Sequence, residues 1–303
     1  MSAAPEAVET SYPLDRLTTV RTGGPADYFA RAGSPERLEG LLAWAGAEGI
    51  EVGVIGSGSN LLVSDEGFRG LVIKLDDDLA AIEREGERLV CGGGARLPRA
   101  AAVAAREGLT GIEFGVNIPG TVGGAVKMNA GAYGGELSKA LEWIDVVTPR
   151  GAERRRPEEM GFAYRRSNLE PREIVARASF QLSPADPAGV KATLQEMRGQ
   201  RRAAQPSGIK TFGSTFKNPD DPKAGGRSAG LLLSEAGCNG LTAGAARFSP
   251  KHANFVENTG EATTAEVISL MAEGRRRVKE RFGVNLEPEV QLLGEVDARE
   301  LYE

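Results

Sequence analysis

The apolar residues of this chain recur with the spacings of both helices and strands. Residues 34–48 predict an amphipathic helix, because Ser34 is a typical N-cap, Pro35 occupies the first helical position and Gly49 follows as a stop. One face of this helix collects its apolar side chains, which are Leu38, Leu41, Leu42 and Ala45. We therefore expect that face to pack against a core.

The rest of the pattern predicts a mixture of short elements. Strands are predicted from short apolar runs at residues 51–55, 71–75, 144–147 and 174–182. Helices are predicted at residues 98–107, 187–202, 227–236 and 263–281. Thr263 and Glu266 have capping-box spacing at the start of the last helix. Because the elements do not alternate strictly, the pattern favours an α+β fold over a doubly wound sheet.

The composition of the 303 residues is that of an ordinary globular protein, with 41% hydrophobic and 26% charged residues. The formal net charge of −5 gives no broad attraction to nucleic acid or to anionic membranes. The N-terminus lacks the apolar core of a secretory signal, and no run of about 18 apolar residues could span a membrane. We therefore expect a soluble, cytoplasmic protein without a nucleic-acid, membrane or obligate protein partner.

Few residues are available for metal or disulfide chemistry. Cys91 and Cys238 are the only cysteines, and His252 is the only histidine. Two distant thiols make no disulfide framework, and so few ligands leave zinc and copper sites almost empty of donors. No metal site is predicted, and a Ser-His-Asp triad could form only around His252.

A first glycine-rich loop follows the predicted strand at 51–55. It consists of Gly56, Ser57, Gly58, Ser59, Asn60 and Leu61. The dinucleotide pattern G-x-G-x-x-G fails because Leu61 takes the third glycine position, and an apolar run follows where a Rossmann turn needs a helix. The Rossmann interpretation is therefore rejected. Phosphate binding through successive backbone N–H groups and a plain tight turn both stay open.

A second tract, at residues 111–135, is denser in glycine. Eight of its 25 residues are glycine, although glycine costs backbone entropy on folding. A flexible linker would not need the interleaved apolar residues, which are Ile112, Phe114, Val116, Ile118, Val122, Val126 and Met128. Close approach of the backbone to a large flat ligand explains the glycines better. Two such tracts suit a dinucleotide.

Six motifs stand out in chain order, at residues 21–26 (RTGGPA), 54–63 (VIGSGSNLLV), 115–134, 162–167 (FAYRRS), 213–219 (GSTFKNP) and 286–290 (LEPEV). Together they resemble one known family, the UDP-N-acetylenolpyruvoylglucosamine reductases, or MurB family. They follow the family order and cover nearly the whole chain. Six ordered motifs are far more specific than any one of them.

The resemblance implies an α+β fold in three parts. Residues 1–75 and 76–206 would form two FAD-binding subdomains of the type shared with vanillyl-alcohol oxidase, also called the PCMH type. Residues 207–291 would form an α+β substrate-binding domain, and residues 292–303 a C-terminal tail.

The resemblance also implies the reaction. NADPH would reduce a non-covalently bound FAD, and the reduced flavin would reduce UDP-N-acetylglucosamine enolpyruvate to UDP-N-acetylmuramate for peptidoglycan synthesis. The ligand partner is accordingly a UDP-sugar. The alternatives are another non-covalent FAD oxidoreductase on the same fold and a flavin- or nucleotide-sugar-binding protein without turnover.

Three residues are expected to carry the chemistry by motif position. Arg165 would grip the enolpyruvyl carboxylate with two parallel hydrogen bonds, instead of being a solvated member of an arginine pair. Ser214 would donate the proton, although a serine hydroxyl is a weak acid and the sequence shows no partner for it. Glu289 would hydrogen-bond the developing enol, or orient water or Arg165. Strand alternation does not separate Glu289 from Glu287, so this choice rests on the motif.

The resemblance assigns further residues to the ligands. FAD would contact Gly56, Ser57, Gly58, Ser59, Asn60 and Leu61 in the first loop, and Gly115, Pro119, Gly120, Thr121, Gly123, Gly124 and Asn129 in the second tract. The substrate would contact Tyr164, Gln205, Lys217 and Asn218, with Lys217 available to a phosphate. Solvated loop residues are the alternative for the last three.

Some residues depart from the family pattern or test the alternatives. Only 45 residues separate Ser167 from Gly213, so this chain matches the shorter subtype without a tyrosine-bearing insert. Leu231 stands where many members carry a lysine. His252 is expected to be structural, and its late position excludes a histidyl flavin tether in the N-terminal half. Cys91 could tether flavin in principle, but a buried free cysteine is favoured.

Overall fold

A computed structural model describes residues 4–302 of the chain. Its α-helices are α1 Pro35–Glu48, α2 Leu97–Arg106, α3 Val122–Lys127, α4 Pro187–Ala204, α5 Ala229–Glu235 and α6 Thr264–Phe282. Its strands are β1 Val8–Pro13, β2 Pro25–Ala32, β3 Glu51–Val54, β4 Leu61–Val63, β5 Phe68–Leu75, β6 Ile82–Glu85, β7 Arg88–Gly92, β8 Leu109–Thr110, β9 Gly131–Ala132, β10 Gly135–Glu136, β11 Leu141–Thr148, β12 Gly151–Arg155, β13 Ile174–Gln181, β14 Ser183–Pro184, β15 Thr242–Ala243, β16 Ala246–Phe248, β17 Val256–Asn258 and β18 Gln291–Leu293. The mixture of helices and strands without strict alternation agrees with the predicted α+β class.

The helix signals in the sequence act as predicted at α1 and α6. Ser34 Oγ accepts a hydrogen bond from the Arg37 N–H at the start of α1, and the four predicted apolar residues of its inner face are buried. Thr263 Oγ1 accepts from the Glu266 N–H at 3.1 Å, while Glu266 Oε2 accepts from the Thr263 N–H at 3.1 Å. The capping box is therefore confirmed.

Other elements differ from the prediction for local reasons. The helix predicted at 227–236 begins only at Ala229, because Ser228 is its N-cap and accepts from the Leu231 N–H. The glycine-rich tract contains the unpredicted helix α3, which is capped by Thr121. The first loop is followed by strand β4, so the rejection of a Rossmann turn is confirmed.

The chain divides into two compact units that interleave in sequence. The first unit holds the residues up to Thr10 together with Tyr28–Ser57 and Gly70–Arg201. The second unit holds Ser11–Asp27, Gly58–Arg69 and the chain from Arg202 onward. The domain boundaries predicted at 75, 206 and 291 stay a prediction.

The first unit is built on two sheets. A five-stranded sheet has the order β12-β11-β13-β7-β6 with antiparallel neighbours. A four-stranded sheet has the order β1-β2-β5-β3, with β3 and β5 parallel. Fully buried residues such as Phe180, Ile144 and Leu97 form the core beside the first sheet, and Leu41 and Ile73 belong to the core beside the second.

The second unit surrounds a separate core. It contains the antiparallel sheet β15-β16-β17, the parallel pair β4 and β18, and the helices α5 and α6. Phe212, Phe216, Phe248 and Met271 are almost completely buried in this core. No helix within residues 4–302 is long and apolar enough to cross a membrane.

Candidate functional site

The two glycine-rich tracts meet within the first unit. Ser57 Oγ donates to the Pro119 carbonyl at 2.6 Å. A Cβ atom on Gly56 would lie 2.4 Å from Thr121 Oγ1, so only glycine permits this approach. The two tracts are therefore in contact at Ser57–Pro119 and Gly56–Thr121. Among the described residues, no acceptor is found for the Gly56 N–H.

The glycines of the second tract fall into two groups by the space around them. Gly115 and Gly123 face protein, since an added Cβ would lie 2.9 Å from Leu97 Cγ and 3.1 Å from the Gly93 carbonyl oxygen, respectively. Gly120 and Gly124 instead leave room for a side chain, since an added Cβ would meet its nearest atoms at the ordinary van der Waals distances of 3.9 Å and 3.5 Å. Packing explains the first two glycines. It does not explain the other two.

A lysine that sequence reasoning missed lies beside the first loop. The Lys74 ammonium, at the end of β5, donates to the Gly56 carbonyl. Burial is the main cause that lowers the pKa of Lys74, with Arg31 acting in the same direction and Asp76 opposing it. The available signal was a lysine inside the apolar run at 71–75. Lys74 brings a partly desolvated cation to the loop that was considered for phosphate.

Arg165 occupies a tight turn with an unusual backbone. Ala163 and Arg166 exchange two backbone hydrogen bonds of 3.0 and 3.1 Å across it, and Arg165 has a φ of +55°. A non-glycine residue with positive φ is uncommon and costs free energy, so the surroundings must hold it. Arg165 donates to the Gly131 carbonyl at 3.1 Å, and its guanidinium lies 4.9 Å from the Tyr164 ring centre.

The same turn separates the two members of the arginine pair and leaves Tyr164 half exposed. Arg165 is partly buried and Arg166 is exposed. Tyr164 is 50% exposed. Ser167 Oγ donates to the Lys127 carbonyl at 2.8 Å and so fixes the turn to the end of α3. In the Y-R-x-S motif, serine therefore anchors the turn that presents arginine.

Asn129 connects the second tract to this turn. Its side-chain N–H groups donate to Glu136 at 2.7 Å and to the Ala163 carbonyl at 3.2 Å, and its Oδ1 accepts from the Ser138 N–H at 3.1 Å. Asn129 is 2% exposed. Its side chain is thus engaged by protein, and its predicted contact with FAD stays a prediction.

In the second unit, the structure joins the segments of Ser214 and Glu289. The Glu289 N–H donates to the carbonyl of Thr215, the residue after Ser214, at 2.9 Å. Ser214 also forms an isolated antiparallel β-bridge with Phe255. The chain around Glu289 belongs to no strand, so the alternation argument does not apply. Exposure separates the two glutamates instead, because Glu287 is exposed and Glu289 is partly buried.

A buried asparagine that sequence reasoning passed over holds the serine segment. Asn254 Oδ1 accepts from the Phe216 N–H at 2.9 Å, and Asn254 Nδ2 donates to the Phe216 carbonyl at 2.8 Å. The Asn254 carbonyl accepts from the Thr215 N–H at 2.8 Å. The signal was an asparagine between the apolar residues Ala253 and Phe255.

His252 has the structural surroundings that were expected for it. Its ring lies 4.9 Å from the Phe255 ring, edge to face, and Gly230 passes so close that an added Cβ would lie 2.7 Å from its Cε1. Burial lowers the pKa of His252, so it is neutral near pH 7.

The other predicted residues of the second unit are already engaged by protein. Lys217 Nζ lies 3.3 Å from Glu287 Oε2, and Asn218 Oδ1 accepts from the Ala229 N–H at the start of α5. The main-chain carbonyl of Gln205 accepts from Lys251 Nζ at 2.9 Å. From the first loop, Gly58, Ser59, Asn60 and Leu61 fall in this unit.

Comparison with known proteins gives the family. The profile of an FAD binding domain matches residues 26–155, and the profile of the UDP-N-acetylenolpyruvoylglucosamine reductase C-terminal domain matches residues 205–293. UDP-N-acetylenolpyruvoylglucosamine reductase 2 of Symbiobacterium thermophilum is 44% identical, over 96% of this chain and 93% of its own. The enzyme of Rubrobacter xylanophilus is 42% identical, over 95% of this chain and 96% of its own.

The chain belongs to the UDP-N-acetylenolpyruvoylglucosamine reductase family. The crystal structure of the reductase from Thermus caldophilus agrees, with a TM-score of 0.81 and 37% identity over 94% of this chain and 98% of that one. The family, the oxidoreductase class and the α+β fold with an FAD-binding module are therefore confirmed.

The residues of the first unit fit FAD. Its FAD binding domain contains the paired glycine-rich tracts, the open space over Gly120 and Gly124, the Gly56 N–H and the Lys74 ammonium. Backbone N–H groups and a cation suit a diphosphate, and side-chain-free backbone suits a flat ring system. Among the described residues, no group of three or more His, Cys, Asp or Glu side chains could hold a metal ion.

We expect both thiols of this reductase to be unreactive in the native protein. Burial raises the pKa of Cys91 to about 12 and is the main cause that raises the pKa of Cys238 to about 11, so neither is a thiolate at pH 8. Titration with Ellman's reagent should detect no fast-reacting thiol until guanidinium unfolds the chain. A fast native phase would contradict the burial of the cysteine that reacts.

We expect Gly124→Val to lose FAD while the chain stays folded. A Cβ added at Gly124, within α3, would lie 3.5 Å from Thr121 Oγ1, an ordinary van der Waals contact, so the side chain should clash with a ligand there and not with protein. Flavin absorbance per protein after purification measures the loss, and circular dichroism checks the fold. Gly199→Val is the matched control, because Gly199 lies in α4 with no atom within 4 Å of an added Cβ. Full flavin occupancy in Gly124→Val would show that the open space has another use.

Proposed function

We propose that this protein reduces UDP-N-acetylglucosamine enolpyruvate to UDP-N-acetylmuramate for peptidoglycan synthesis, with NADPH as the electron donor. The observation that carries the proposal is the Thr215–Glu289 backbone bond, which holds the segments of a hydroxyl and a carboxyl group together in one unit. Both relatives named above carry the name of this activity. The free cysteines suit the cytoplasm, the compartment that keeps thiols reduced.

The reaction needs charge stabilisation and a proton in addition to a hydride. Bound FAD supplies the hydride chemistry. Arg165 binds the enolpyruvyl carboxylate, because a guanidinium offers two parallel charge-assisted hydrogen bonds. Charge that develops on the carboxylate side during reduction then lies against a fixed cation, and the braced turn of Arg165 removes the need to reorganise.

Ser214 and Glu289 serve the carbon next to the carboxylate. Ser214 donates the proton to that carbon, and Glu289 hydrogen-bonds the developing enol, or orients a water or Arg165. Both side chains start from segments that share a backbone hydrogen bond and are held by buried neighbours, which supports a preorganised arrangement of the two groups. Lys217 meets a phosphate of the UDP-sugar, and Tyr164, Gln205 and Asn218 contact the rest of it.

We expect Arg165→Ala to separate the two half-reactions. Reduction of FAD by NADPH should stay near normal, because the carboxylate partner of Arg165 is absent from that step. Reoxidation by substrate should slow about 10- to 100-fold, the value of one or two charge-assisted bonds. Stopped-flow absorbance at the oxidised-flavin band follows each step. The control is Arg166→Ala, since Arg166 is the exposed neighbour. An equal fall in both steps would make Arg165 a structural or nicotinamide-site residue.

We expect Ser214→Ala to give the larger effect on chemistry. Positioned proton transfer contributes about 10²- to 10⁴-fold in rate, whereas a turn hydroxyl contributes about 1 kcal/mol of stability and no rate. FAD content and reduction by NADPH should be normal, and reoxidation should fall by that factor. Ser214→Cys should recover part of the rate, because a thiol also donates a proton. Ser207→Ala, at an exposed serine of the same unit, is the control.

The contrary outcomes are distinct. Normal reoxidation in Ser214→Ala would leave Glu289 or water as the donor. Failure of the enolpyruvyl substrate to reoxidise the unaltered protein would favour another flavin oxidoreductase activity on this fold.

A further inference from the structure

Asn60 makes contacts that its place in the glycine-rich loop does not predict. Its Nδ2 donates to the Glu289 carbonyl at 3.1 Å, and its own carbonyl accepts from the Gln291 N–H at 3.1 Å. Both groups of Asn60 thus bind the segment 289–291, which lies 229 residues later in the chain. Sequence position had made Asn60 a candidate ligand of FAD.

The segment that carries Glu289 depends on such contacts. Strand β18 begins only at Gln291, where it pairs in parallel with Leu61 of β4. Glu289 lies before that pairing, and its backbone is fixed by the bond to Thr215 on one side and by Asn60 Nδ2 on the other, with Gln291 Nε2 more distant at 3.3 Å. The Asn60 side chain therefore holds Glu289, which lies just outside the β4–β18 pairing.

The pairing of β4 with β18 does not by itself hold the Glu289 main chain in place. That pairing fixes Gln291, Leu292 and Leu293, and the Glu289 carbonyl lies outside it. A hydrogen bond to the Glu289 carbonyl fixes the peptide that follows the Glu289 Cα, and the bond from its N–H fixes the peptide before it. Together they set the direction in which the Glu289 side chain leaves the backbone.

We propose that Asn60 is a positioning residue for Glu289, acting through the Glu289 main chain in the substrate half-reaction. The inference rests on the proposed function, since it gives Glu289 a role in that step. A positioning residue and an FAD ligand affect different steps of the reaction. A ligand of FAD changes cofactor affinity and both half-reactions, whereas a residue that aims Glu289 changes only flavin reoxidation by substrate.

The test uses the holoenzyme with Asn60→Ala and Asn60→Asp. Asn60→Asp keeps the shape but removes the donor and places an oxygen against the Glu289 carbonyl. In both variants we expect normal FAD content, normal reduction by NADPH and an unchanged KM for the enolpyruvyl substrate. The limiting rate of reoxidation should fall on the order of 10-fold in Asn60→Ala, the value of one hydrogen bond, and further in Asn60→Asp. Asn285→Ala, at an exposed asparagine of the same unit, is the control and should be normal.

A double-variant cycle with Glu289→Gln decides whether Asn60 acts through Glu289. Asn60→Ala should slow the Glu289→Gln enzyme by less than about 2-fold, because the group it positions is already lost. Multiplicative effects would overturn the inference. So would a loss of FAD affinity with normal reoxidation at saturating FAD, which would return Asn60 to the cofactor. A normal rate in Glu289→Gln alone would instead overturn the role of Glu289 in the proposed function, whatever the Asn60 variants do.

Discussion

Buried asparagine side chains hold the irregular segments on which the candidate site depends. A backbone that leaves a strand or helix must still find partners for its N–H and C=O groups when it is buried. The Asn254 side chain bonds both the N–H and the carbonyl of Phe216, and Asn129 joins the glycine-rich tract to the Arg165 turn.

Asn258 is a further buried asparagine of the second unit. Its side chain donates to the Val20 carbonyl and accepts from the N–H groups of Gly260 and Ala262. An asparagine has both a donor and an acceptor, so it can replace a strand partner where no strand fits. The result is non-repetitive chain that is nevertheless rigid, as preorganised catalysis requires.

The glycines divide between this rigidity and the ligand. Gly56, Gly115 and Gly123 allow backbone and side chains to approach one another inside the first unit, while Gly120 and Gly124 leave space unfilled. The high glycine content of these tracts therefore has two physical causes. The packing glycines build the platform, and the open glycines leave it accessible. Substitutions at the two groups should consequently fail in different ways, the first by unfolding and the second by excluding FAD.

Sequence reasoning reached the fold class and the family but not the local construction of the site. Regular signals were predictable because their cause is local, as at the Ser34 cap of α1 and the capping box of α6. Helix α3 was missed because a run with two adjacent glycines has low helix propensity, and its position is fixed by the unit around it. Lys74 and Asn254 were missed because their partners, Gly56 and Phe216, are distant in sequence. The choice of Glu289 over Glu287 rested on a motif, and burial gives it a physical basis that alternation could not.

Lys217 and Glu287 form an ion pair at the surface of the second unit. Glu287 is 75% exposed, and Lys217 itself is 27% exposed. A pair this close to solvent is worth about 0–1 kcal/mol, so the substrate phosphate proposed for Lys217 would replace Glu287 at little cost. Glu287 would then be a temporary partner, whereas Glu289, two residues on, is fixed by backbone bonds on both sides. The main chains of both glutamates are held, since the Glu287 carbonyl accepts from the Lys217 N–H at 2.9 Å. The two differ in their side chains, because that of Glu287 is exposed whereas Glu289 is partly buried.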